Sequence, residues 1–164
     1  MPEVTGWEGR FFEDFTVGDI YVHPLGRSIT ETDNTWFTLL TQNANPIHFD
    51  KEYAKGTHFG KVLVNSCFTL SLVTGQSVID LSMNVLANLQ WTDVNLPHPV
   101  FNGDTIHSRS EVLAKRESSS HPEAGIVEVF TEGFNQDEVV VISFRRTFMV
   151  YKRSHRPGKR KGRE

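Results

Sequence analysis

The stretch that most limits how this chain can fold is Ser66 to Leu81, SCFTLSLVTGQSVIDL, sixteen residues with no charge before Asp80. Apolar side chains fall on nearly every side of its helical projection, and small residues fill the gaps. A helix of that composition has no wet face, so the pattern predicts burial all round. A pair of buried strands is the alternative, because Thr and Val are frequent in the run. The helical step of Leu70, Val73, Ser77 and Asp80, with no turn dipeptide between them, favours a helix over 66–81.

Everything downstream reads as strand. Residues 85–96 are bounded by Pro97 and Pro99; residues 104–115 alternate in part, with Ile106, Ser108, Ser110 and Val112 on one side. Residues 126–134 alternate cleanly, Val127, Val129 and Thr131 opposing Ile126, Glu128, Phe130 and Glu132, and 139–151 is the longest β-rich run. Turn-rich segments at 117–124 and 135–138 separate them. Residues 20–29 supply one earlier strand. Upstream of the uncharged segment, Thr30 and Asp33 resemble a helix-starting cap, which predicts a helix over about 31–43, stopped by the Asn45-Pro46 step. Asp50 then caps a short turn. One buried helix among about five mostly consecutive strands makes an α+β domain with an antiparallel sheet.

No run approaches the ~20 apolar residues that span a bilayer, and the first residues carry no basic flank or apolar core of a signal peptide. A single cysteine, Cys67, rules out an internal disulfide, and together these features predict a reducing, cytoplasmic setting. Residues 1–151 read as one acidic domain with 10 cationic and 19 anionic side chains. Residues 152–164 form a basic tail with seven cations and one acid, expected to be mobile and solvated. The acidic body argues against nucleic acid as a partner. The histidines show no metal-ligand spacing with Cys67 or with one another, and no glycine-rich phosphate loop is present, so no metal or cofactor is expected.

The richest chemistry lies in residues 43–50, NANPIHFD. A helix stops at a proline and presents His48 beside two amides and a carboxylate. Pro46 fixes the backbone, so the imidazole projects from a rigid turn, and its ordinary pKa near 6.5 lets it take and give a proton. That segment, followed by HFGKVLVNSCFTL and later by LPHPVFNGDTI, resembles the MaoC-type hydratase and dehydratase family, whose members include R-specific enoyl-CoA hydratases. The similarity covers most of residues 11–151. It implies a hot-dog fold, in which an antiparallel sheet wraps one central helix, together with homodimers or dimers of dimers and an acyl-CoA thioester substrate. The subgroup it is most similar to handles short branched dicarboxylic acyl groups, as in mesaconyl-CoA or methylmalyl-CoA.

In that family the turn reads Asp-x-Asn-Pro-x-His, and the Asp and His activate water. His48, Asn45 and Pro46 match; the aspartate is replaced by Asn43, which orients water but accepts no proton. The family's His-Gly step before the central helix reads Asn65-Ser66. The resemblance therefore implies His48 as general base and acid, Asn43 as holder of the water, and backbone donors near Ser66 as the oxyanion hole. Thr74 stands where the family places a hydroxyl supporting the catalytic acid; bonding to its own helix is the structural alternative. Arg145 and Arg146, adjacent on a strand, point to opposite faces, and both are expected exposed. The activity implied is hydration of a 2-enoyl-CoA or dehydration of a 3-hydroxyacyl-CoA. A hot-dog thioesterase and a non-catalytic acyl-CoA binding module are the alternatives.

Overall fold

The alternating runs form the sheet for which their patterning selects them. The computed structural model describes Val4 and residues 6–156, with β1 Ile20–Val22, β2 Arg27–Ser28, α1 Glu31–Leu40, α2 Lys51–Lys55, α3 Ser66–Gln76, β3 Val85–Asn95, β4 Thr105–Glu117, β5 Ala124–Phe134 and β6 Val140–Tyr151. The sheet is antiparallel in the order β1-β4-β5-β6-β3, with two-residue β2 also on β4. Along β4, Ile106, Ser108, Ser110 and Val112 are all buried, and along β5 so are Val127, Val129 and Thr131. One face of the sheet is thus the core face.

That face carries two apolar clusters. Phe12, Phe15, Leu81, Val112, Val127 and Phe148 fill one end; Ile29, Val73, Val100, Ile106, Ile142 and Phe144 fill the other. Each such side chain contributes about 1.5–3 kcal/mol on burial. Helix α3 comes so close to β5 that a Cβ on Gly133 would stand 2.7 Å from Val73 Cγ2 and 2.8 Å from Ile142 Cγ2. Only glycine admits the helix there.

Several expectations from the sequence are corrected. The central helix ends at Gln76 and continues as a single π-helical turn, Val78–Ser82. This wider turn carries Asp80, whose oxygens meet Arg10 Nη1 at 3.1 Å and His23 Nδ1 at 2.9 Å. Nor is the helix buried all round: Thr69, Val73 and Gln76 are buried, whereas Ser66, Cys67, Ser71 and Gly75 are exposed. Its open side, with Leu25, Phe37, Phe68, Leu72 and Ile79, lines an apolar groove of about 530 Å³. Helix α1 stops at Leu40 rather than 43, because Gln42 takes a left-handed conformation (φ 57°) and the Asn43 amide reaches back to the Thr38 carbonyl. The strand expected over 20–29 is two short ones, broken at Pro24, which has no amide hydrogen for the ladder.

Arg145 is exposed and pairs with Glu128 and Asp93, but Arg146 is 2% exposed, against the expectation that both face water. Its guanidinium donates to Asn88 Oδ1 (2.9 and 2.6 Å) and Ser77 Oγ (3.0 Å), and burial lowers its pKa to about 10. Of the basic tail, Arg153 pairs with Asp14 and Arg156 with Glu8, while residues 157–164 lie outside the described residues. Among the described residues, no helix is long and apolar enough to cross a membrane.

Candidate active site

The turn after α1 is built by its own side chains. Asn43 Oδ1 accepts from the Asn45 amide at 3.0 Å, and Asn45 Oδ1 accepts from the Ile47 amide at 3.2 Å. Pro46 then opens a 3-10 turn, Pro46–His48, where its missing amide hydrogen costs nothing. These constraints turn His48 inward, leaving it 8% exposed. Its Nδ1 lies 2.9 Å from the Leu63 carbonyl oxygen. A carbonyl only accepts, so Nδ1 carries the hydrogen, and in the neutral ring the lone pair is on Nε2. The imidazole is therefore held in the tautomer that suits a base.

Leu63 belongs to the strand-like segment leading into α3, and a buried amide joins that segment to the histidine turn. Asn34, fully buried on α1, donates through Nδ2 to the His48 carbonyl (2.9 Å) and the Leu63 carbonyl (3.1 Å), and accepts through Oδ1 from the Asn65 amide (2.9 Å). One turn later Thr38 Oγ1 accepts from Asn65 Nδ2 at 3.2 Å. Asn65 in turn caps α3 by accepting from the Cys67 amide at 2.9 Å. The Ser66 amide, beside that cap, donates to no group among the described residues. A cavity of about 310 Å³ opens at this helix start, bounded by Leu63, Ser66, Thr69, Leu96, His98 and Val100.

His48 and the Asn65-Ser66 start of α3 are thus tied together through Asn34 and Leu63. At that helix start unpaired amides and the helix dipole favour a developing negative charge, whereas the Asn43 and Asn45 side chains bond within their own turn. Thr74 does not join them. It lies eight residues along the helix, ~12 Å at 1.5 Å per residue, and its hydroxyl accepts from Trp91 Nε1 at 3.3 Å. Sequence reasoning missed Asn34 and Thr38. Their signal was present: a polar pair at i and i+4 on a helix otherwise rich in large apolar residues.

A second polar group sits at the other end of α3. His23 Nδ1 faces Asp80, its Nε2 lies 2.9 Å from Ser110 Oγ, and Ser110 meets Thr131 Oγ1 at 2.8 Å. Burial holds His23 below its ordinary pKa, with Asp80 opposing the shift. Ser110 is fully buried, so no substrate reaches this Ser-His-Asp arrangement and its role is structural.

Comparison with known proteins identifies the family and the fold. The family model described as mesaconyl-CoA hydratase matches residues 4–162. Over 145 residues the chain is 32% identical to the mesaconyl-CoA hydratase of Cereibacter sphaeroides, covering 88% of this chain and 42% of that protein. It superposes with a TM-score of 0.86 on a MaoC domain protein dehydratase of Chloroflexus aurantiacus, at 31% identity over 92% of this chain and 43% of that one. A double hot-dog protein of Mycobacterium tuberculosis shares the fold, with a TM-score of 0.80 at 21% identity, covering 94% of this chain and 47% of the other. The chain spans about two-fifths of the length of the curated relatives it matches. A hot-dog domain with its histidine turn docked on the start of the central helix, matched almost end to end by the family model, belongs to the mesaconyl-CoA hydratase family of MaoC-like proteins.

Proposed function

We propose that this chain forms the catalytic unit of an acyl-CoA hydro-lyase that adds or removes water across a short, branched or dicarboxylic 2-enoyl-CoA. The observation that carries the reading is His48, its Nδ1–H spent on the Leu63 carbonyl and its turn tied through Asn34 to the start of α3. In hydration, Nε2 takes a proton from water as the oxygen bonds to the β-carbon. The π electrons move toward the thioester oxygen, which the Ser66 amide stabilises as an enolate. The imidazolium then returns a proton to the α-carbon, which balances the addition. Asn43 has one side-chain oxygen lone pair committed to Asn45, so its Nδ2 or remaining lone pair orients the water. Acid–base help contributes typically 10²–10⁴ in rate and an oxyanion donor about 10²–10³.

Loss of the conjugated-thioester absorbance, followed over a panel of short straight, branched and carboxylated enoyl-CoAs, tests this. His48→Ala should remove turnover while the circular dichroism is retained; residual activity above about a tenth rejects the role, since acid–base help is worth at least ~10². The engagement of Asn43 in its own turn favours one second reading, an acyl-CoA binding module without turnover. A gain of hydration from nothing in Asn43→Asp supports that reading, and a loss rejects it.

We further infer that the working unit is a pair of hot-dog domains, formed here by two copies. Strand β3 is an unpaired edge exposed from Asn88 to Asn95, Trp36 and Leu40 are 74% and 81% exposed, and the groove beside α3 is apolar. Edges and patches of this kind call for a cover. Sedimentation at micromolar concentration distinguishes the outcomes; a monomer under assay conditions rejects the pairing.

A further inference from the structure

Cations are scarce in residues 1–151, ten against 19 acids, yet three of the ten line one cavity. Lys51, Lys55 and Lys61 surround a space of about 300 Å³ together with Glu31, Phe101 and Asn102. Lys51 pairs with Glu31 at 2.8 Å and Lys55 with Glu52 at 2.6 Å, both exposed pairs that contribute little and are readily exchanged. Lys61 has no carboxylate partner among the described residues; its ammonium lies 3.9 Å from the centre of the Phe101 ring. The side-chain oxygen of Asn102 is buried without a hydrogen-bond partner. A half-turn of that amide, which exchanges oxygen for nitrogen at the same position, puts an N–H donor there.

This cavity shares a wall with the candidate active site. The Val64 amide donates to the Val100 carbonyl at 2.8 Å, Leu63 bridges Phe101, and the Phe59 and Phe101 rings meet edge-on at 6.4 Å. Lys61 is two residues from Leu63, the group that holds His48. Compact ammonium charges around a small polar cavity suit phosphate oxygens. We propose that the Lys51–Lys55–Lys61 cavity binds phosphate groups of the nucleotide end of the CoA thioester. This rests on the acyl-CoA reading of the neighbouring site and adds to it the place where the nucleotide is held.

The test uses the full chain and Lys61→Glu, a change at an exposed side chain that the fold tolerates. Calorimetric titration with adenosine 3′,5′-bisphosphate should show binding weakened roughly tenfold or more in the variant, the size expected for a charge-assisted contact. The ratio of kcat/KM for an enoyl-CoA to that for the same enoyl N-acetylcysteamine thioester should fall by a similar factor, mainly through KM. Unchanged bisphosphate binding overturns the proposal, as does inorganic phosphate binding as tightly as the bisphosphate. Wild-type binding of the bisphosphate, weakened by Lys61→Glu, without hydration of any enoyl-CoA leaves the cavity assigned and rejects the reaction. Hydration with an unaltered ratio in Lys61→Glu does the reverse.

Discussion

Replacing Asn34 by alanine tests whether the histidine turn is held by one buried amide. The side chain makes three hydrogen bonds of 2.9–3.1 Å to backbone groups of three separate residues, His48, Leu63 and Asn65, and it is fully buried. Each neutral bond is worth about 1 kcal/mol net, and each buried backbone group left unpaired costs about 1–3 kcal/mol. Water entering the vacated space recovers part of this, so the expected loss is about 3–5 kcal/mol. That is a large share of the 5–15 kcal/mol typical of a domain. With a urea m-value of about 2 kcal/mol/M, the midpoint should fall by roughly 1.5–2.5 M. Tryptophan fluorescence at fixed protein concentration reads it, the concentration being held because any association adds to stability. Thr38→Val, which removes only the 3.2 Å bond from Asn65, should cost about 1 kcal/mol in the same assay. A midpoint for Asn34→Ala within 0.3 M of wild type, on the order of the extrapolation error, would refute the reasoning. The turn would then be held by Pro46 and its own Asn43 and Asn45 caps.

Two further outcomes follow from the buried polar and close-packed positions. Because His23 has a folded pKa below its unfolded value near 6.5, the folded chain binds fewer protons there. Its contribution is therefore complete above pH 6.5 and is lost as pH falls below that value. The urea midpoint should drop between pH 7.5 and 5, and His23→Gln should flatten that part of the profile; an equal slope in both proteins contradicts the assignment. Gly133→Ala should cost about 1–3 kcal/mol by overpacking against Val73 and Ile142, and Val73→Ala in the same chain should return part of the loss. Additive losses in the double variant would show that the two side chains do not meet.

The sheet was legible because a period of two is unambiguous when one face is buried. Residues 126–134 announced their inner face, and β5 keeps it, while the β-rich run 139–151 forms β6, both to within two residues at the ends. The histidine turn was legible for a different reason: proline and two amides leave the backbone little choice. Where the reading failed, the deciding contact was remote in sequence. The π-turn depends on Asp80 meeting His23 and Arg10, 57 and 70 residues away. The burial of Arg146 depends on Asn88 and Ser77 accepting its hydrogens. Neither partner leaves a periodic trace.

Helix α1 shows how the missing part is organised. Its apolar residues were legible as helical, but the usual inference that they face the core inverts the helix. Asn34 and Thr38 point inward while Trp36 and Leu40 point out. The reason lies in the backbone groups beneath. The segments 46–48 and 63–65 run beside the sheet without joining its ladders, so their buried carbonyls and amides need donors and acceptors from elsewhere. A helix that supplies them must turn its polar residues inward, and its apolar residues then face outward. The arrangement that positions His48 and the exposed apolar face of α1 are therefore two sides of one helix. The pairing proposed above, were it to cover that outer face, would remove Trp36 and Leu40 from water while leaving the bonds of Asn34 and Thr38 on the opposite side untouched.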